Sequence, residues 1–109
     1  MFKHSKHGLD GLTAWALMAL LVAPAAQAQD ANLARSLAAT CANCHGTQGA
    51  ARGEMKVLAG APAAATVAKM AAFKSGSLPA TVMHQIAKGY SDEQIALVAG
   101  YFAAQAAPK

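Results

Sequence analysis

The chain has 109 residues, a formal net charge of +4 and two cysteines. That length holds one small domain, and the mild positive charge comes without the basic, aromatic-interleaved run that nucleic-acid binding needs. Alanine, which favours helix but buries little area, fills 23 of the 81 positions from Gln29 onward, so a domain built on its own core alone would be marginal.

Lys3 and Lys6 precede a mostly apolar run from Leu12 to Ala23, which Pro24 breaks and Ala26-Gln27-Ala28 follows. This is the layout of a secretory signal peptide with a small-x-small cleavage site. The run has 12 residues, short of the ~20 that span a bilayer. We expect a signal peptide over residues 1–28, cleavage after Ala28 and a periplasmic product without stable membrane insertion. An uncleaved anchor is the alternative. His4, His7 and Asp10 sit in the leader and carry no assigned role.

Asp30 is placed to cap a first helix over about residues 31–42, with Leu33 and Leu37 four apart on one face. Cys41 and Cys44 fall at its end, and three residues is slightly under one turn, so both sulfurs point to one side. Gly46, Gly49 and Gly53 mark a loop reaching about Ala61. Pro62 suits the first turn of a second helix, about 62–74, which Gly76 stops. Within it Val67, Met70 and Phe73 have core spacing. Pro79 begins an extended stretch, and a short helix over about 83–88 ends at Gly89. Ser91 and Gln94 form a capping box that starts a last helix running to about Gln105, with Ile95, Val98 and Phe102 as its apolar stripe. No stretch alternates like a strand. The expected fold is all-α, with about four short helices in one domain over 29–109.

The stretch "ATCANCHGTQG", residues 39–49, carries the chemistry. A disulfide between Cys41 and Cys44 closes a tiny loop and constrains little chain entropy. A thioredoxin-type dithiol draws its reactivity from a helix N-terminus, usually after a strand, and neither is expected here. A structural zinc site needs four ligands, and Cys41, Cys44, His45 and His84 come without a second cysteine pair. Cys-x-x-Cys-His is the attachment pattern of covalent haem. Two sulfurs one turn apart each bond a former vinyl group on one porphyrin edge, and the next residue, His45, ligates the iron through Nε2. One covalent haem c is the cofactor this stretch leads us to expect. It would also supply the large apolar surface that an alanine-rich core lacks.

A six-coordinate electron-transfer haem usually takes methionine opposite histidine. Met70 has core spacing, and Met55 is only ten residues past His45. Met83 lies 38 residues past His45, which leaves room for a loop and a helix to wrap the ring first. Met83 is therefore the expected second axial ligand, with the adjacent His84 as its competitor. Lys69, Lys74 and Lys88 flank Met83 and are candidates for partner docking, although a solvated face is the plainer reading.

The combination of "CANCHG", a downstream methionine and a capped last helix resembles a class I c-type cytochrome, c4/c553-like. Residues 73–105, "FKSGSLPATVMHQIAKGYSDEQIALVAGYFAAQ", resemble the cytochrome subunit of flavocytochrome c sulfide dehydrogenase, especially its first haem domain. The resemblance implies thioethers at Cys41 and Cys44 and axial ligation by His45 and Met83. It implies an FAD-containing, sulfide-oxidising flavoprotein as partner, and a downstream acceptor such as another cytochrome. The chain itself would be a non-catalytic electron-transfer subunit. Compared with two-haem relatives it reads as a one-haem form. Relatives often use a proline carbonyl to receive the axial histidine's other N–H; Met55-Lys56-Val57 stands there instead, so the donor of that carbonyl is left open. A free-standing electron shuttle, and a haem sensor or peroxidase-like enzyme with an open iron site, are the competing functions.

Overall fold

The computed structural model describes residues 30–109, and the expected signal peptide over 1–28 lies outside them. The described chain is helical, with no strand among these residues: α1 (30–39), α2 (Ala42–His45), a 3-10 turn (Thr47–Gly49), α3 (Ala63–Ser75), α4 (Met83–Lys88) and α5 (Asp92–Ala103). The all-α class is as expected, and so is the span of α4. No helix among the described residues is long and apolar enough to cross a membrane.

The first helix stops earlier than its composition suggests. The Thr40 hydroxyl donates to the Leu37 carbonyl at 3.2 Å, and the Cys41 N–H donates to the Ala38 carbonyl at 3.1 Å. A side chain that bonds its own preceding turn competes with helix continuation. The chain then restarts as the single turn α2, in which the Cys44 and His45 N–H groups both donate to the Cys41 carbonyl, at 3.3 and 2.9 Å. Cys41 and Cys44 thus belong to a separate turn beyond α1. The inward face of α1 also differs. Ala34 and Ala38 are buried and Leu37 packs against the core edge, but Leu33 is 47 % exposed. The small alanines allow close approach of the neighbouring helix, which an inward leucine pair would prevent.

Helix α5 supplies the centre. Its capping box is complete: the Gln94 N–H donates to Ser91 Oγ at 3.2 Å, and the Ser91 N–H donates to Gln94 Oε1 at 2.9 Å. Ile95, Val98, Ala99 and Phe102 are buried, and Ala38 of α1 joins Val98 and Phe102 in the core. The helix ends at Ala103, two residues short of the expected end, where the Gln105 amide donates to the Tyr101 carbonyl at 2.8 Å. Glu93, in the first turn, has its carboxyl held below the usual range by its own backbone N–H and by the Ser91 hydroxyl.

The loop after α2 is pinned to α5. Gly49 adopts φ 76°, and a Cβ there would lie 2.7 Å from the Phe102 ring and 2.9 Å from Leu58. The Gly49 carbonyl accepts from Leu58 and Ala59, at 2.9 and 3.1 Å, and the Gly60 N–H donates to the Phe102 carbonyl at 2.9 Å. Only glycine satisfies both the backbone angle and the space at position 49.

Helix α3 starts one residue later than expected, with Pro62 as N-cap, and Gly76 ends it in the left-handed conformation at φ 80°. It buries no residue. Val67 is 38 % exposed, and Met70 and Phe73 are half-buried, so this expected core face is only partly covered. At its end Lys74 donates to the Tyr90 carbonyl at 2.8 Å and to Asp92 Oδ1 at 3.0 Å, tying α3 to the α4–α5 junction.

Two expectations follow for urea unfolding of the chain. Ser91→Ala lowers stability by about 1 kcal/mol through loss of the cap. Gly49→Ala costs more, because it combines backbone strain with a collision against Phe102. A pH series separates a third contribution. The folded-state carboxyl of Glu93 ionises below its unfolded value, so its stabilisation is present at neutral pH and is lost as pH falls through the folded value. Glu93→Gln therefore weakens the fold near neutrality and leaves it unchanged in acid.

Candidate functional site

Three of the four expected site residues share one turn. Cys41 caps α2, Cys44 lies within it and His45 closes it. Both cysteines are free thiols; Cys41 is half-buried and Cys44 exposed. Burial pushes the Cys41 thiol up, against a smaller opposing effect of the Thr40 hydroxyl. Gly46 ends the turn at φ 79°, and a Cβ there would lie 2.7 Å from the Ala50 carbonyl oxygen. The chain therefore reverses immediately behind His45.

That reversal brings residue 56 back to the histidine. His45 Nδ1 lies 2.6 Å from the Lys56 carbonyl oxygen. A carbonyl only accepts, so Nδ1 carries the proton. In the neutral imidazole Nε2 then keeps its lone pair, the one ring nitrogen left able to act as a donor to a metal. The carbonyl that the sequence leaves open is that of Lys56.

Met83 is carried elsewhere, as the first residue of α4, and is half-buried. No hydrogen bond among the described residues joins it to the Cys41–His45 turn. Helical spacing puts Val82, Met83 and Ile86 on one side of this segment, with Val82 54 % and Ile86 42 % exposed. His84 and Lys88 share another side and line a cleft of about 280 Å³ with Phe73, Leu78 and Pro79. The competing ligand His84 thus faces a cleft that Met83 does not line, and its Nδ1 is buried without a hydrogen-bond partner among the described residues. Met55 is 45 % exposed in the loop, and Met70 lies half-buried on α3.

Among the described residues no three His, Cys, Asp or Glu side chains gather as a metal cluster. Cys41, Cys44, His45 and His84 therefore do not assemble the four-ligand zinc site. The turn carries two thiols and one imidazole. Of the three lysines flanking Met83, Lys69 and Lys88 are exposed, while Lys74 is bonded to Asp92 and Tyr90. Lys74 acts as a brace within the fold, a role its place in the sequence did not announce.

Thr40 and Tyr90 were not among the expected functional residues. Their hydroxyl oxygens lie 2.6 Å apart across fifty positions of chain. No local pattern signals such a pair.

No family model matches the chain, and no curated protein matches it.

The two thiols differ enough to be told apart. Cys44 is alkylated faster than Cys41 at neutral pH, because it is exposed while Cys41 is half-buried with its thiol pushed up by that burial. Mass spectrometry of time-resolved iodoacetamide digests measures the order.

Proposed function

We propose that this chain is a monohaem class I c-type cytochrome, exported to the periplasm, that carries single electrons. Cys41 and Cys44 hold one haem c by thioethers, and His45 and Met83 are its axial ligands. The hydrogen bond from His45 Nδ1 to Lys56 carries this reading, because it frees Nε2 on the residue directly after the second cysteine.

The packing suits a large flat apolar cofactor. The buried hydrophobic residues are mostly alanine, while Leu33, Met55, Val67, Val82 and Ile86 are each at least 38 % exposed. Such surface is costly in water, and covering it is favourable at roughly 25 cal/mol per Å². The thiols one turn apart, the lone pair of His45 and the thioether of Met83 are the donors that a covalent six-coordinate haem requires.

Haem c supplies one-electron exchange between Fe(II) and Fe(III). The Lys56 carbonyl fixes the plane of the His45 ring and makes Nε2 a stronger donor. Met83 contributes a soft thioether, which favours the ferrous state and raises the potential. The apolar side chains of α3 and α4 keep water away. With both axial positions filled by this chain, sulfide would have no place at the iron.

The resemblance over residues 73–105 adds a partner: an FAD-containing sulfide-oxidising flavoprotein that delivers electrons, with another cytochrome as acceptor. Expression with haem-attachment machinery tests the cofactor. The expected product is red, and its haem resists extraction by acidified organic solvent; colourless protein with two free thiols would overturn the reading. Met83→Leu should let the ferrous protein bind carbon monoxide, whereas the parent does not. Rapid binding by the parent would favour a sensor or peroxidase-like site. Haem reduction by sulfide only when a flavoprotein is added supports the subunit role, and failure with every flavoprotein favours a free-standing shuttle.

A further inference from the structure

Resting on the haem reading above, we propose that Tyr90 is a positioning residue, whose hydroxyl locks the Cys41–His45 turn to the segment that carries Met83.

The two halves of the expected iron site have few direct ties. Every backbone hydrogen bond of residues 83–89 stays within the 82–90 stretch. The Gly60–Phe102 bond also joins the early loop to the later helices, but at the far end of α5. The connection near Met83 passes through Tyr90.

Tyr90 is held at three points. Its N–H donates to the Ala87 carbonyl at 3.2 Å, which extends the last turn of α4 into this residue. Its carbonyl accepts from Lys74 Nζ at 2.8 Å, and Lys74 also holds Asp92 at the start of α5. Its phenol oxygen lies 2.6 Å from Thr40 Oγ1. The single Thr40 proton is directed to the Leu37 carbonyl at 3.2 Å, so the Tyr90 hydroxyl is the donor between them. Thr40 precedes Cys41, whose carbonyl receives the Cys44 and His45 N–H groups. A rigid line therefore runs from α4 and α3, through the Tyr90 ring, to the residue that starts the attachment turn.

Such a strut matters because a thioether is a weak ligand for ferric iron, which prefers harder donors. What keeps methionine in place is the geometry around it. Removing one hydrogen bond of ordinary net worth should shift a ligand-displacement equilibrium by about two- to tenfold.

The test uses the haem-loaded protein and the variants Tyr90→Phe, Thr40→Val, their combination, and Ser91→Ala as a control for general destabilisation. The methionine-to-ferric-iron charge-transfer band is followed against urea beside far-ultraviolet circular dichroism. Tyr90→Phe and Thr40→Val should each raise the equilibrium constant for band loss about two- to tenfold while helix content is intact, and the double variant should add nothing to Thr40→Val alone. Ser91→Ala should move band loss and helix loss together. If Tyr90→Phe also moves both in step, or moves neither, the strut is overturned. A second readout is independent of methionine. Amide hydrogen exchange at Cys44 and His45 should quicken in Tyr90→Phe, and at least as much in Thr40→Val, which also loses the bond to Leu37. Absence of the band in the parent would sink the Met83 assignment alone, and unchanged exchange would then overturn the strut.

Discussion

In the function proposed above, the Lys56 carbonyl facing His45 Nδ1 at 2.6 Å is the contact on which the chemistry turns. An imidazole on a one-turn helix has two free torsions and two tautomers. One backbone acceptor removes most of that freedom, because it chooses the protonated nitrogen and the ring plane together. Much of the loop between α2 and α3 serves to deliver that acceptor. Gly46 reverses the chain, Gly49 tucks beneath Phe102, and the Gly49 carbonyl gathers the returning strand of loop at Leu58 and Ala59.

The second constraint is a shortage of buried bulk. Among the described residues only Phe102 is a large side chain fully withdrawn from water, and α3 withdraws none. Helices this short are not stable by propensity alone; they need a packed face. The partly covered faces of α3 and α4 are rich in valine, methionine, phenylalanine and isoleucine. In the reading proposed above, these side chains are the walls of a cofactor site, and the prosthetic group is itself part of the core. Folding and metal ligation would then be one equilibrium.

Local signals are legible in this sequence, and long-range ones are not. The Ser91–Gln94 box, the Gly76 stop and the span of α4 depend on residues within one or two turns, and the helical structure repeats them. The end of α1 was misjudged because Thr40 bonds backward to Leu37, an option that helix periodicity does not display. Leu33 and Leu37 fit the period as well as Ala34 and Ala38 do; the approach of α5 selected the alanines. The grouping of Cys41, Cys44 and His45 on one turn is legible because it depends only on their close spacing in the chain. The Lys56 acceptor is not legible in the sequence, since a main-chain carbonyl has no side-chain signature. The roles of Tyr90 and Lys74 depend on partners sixteen and fifty positions away, where no periodicity reaches.

The ring of Phe102 against the bare α-carbon of Gly49 makes the last helix and the histidine loop one thermal unit. Warming cannot fray the C-terminal helix past Phe102 without loosening the floor on which residues 46–61 rest. Nor can that loop swing away while the aromatic ring stays seated. Heat should therefore release the imidazole's acceptor and the hydrophobic centre in the same transition, leaving no temperature range in which His45 is disoriented but the core is sound.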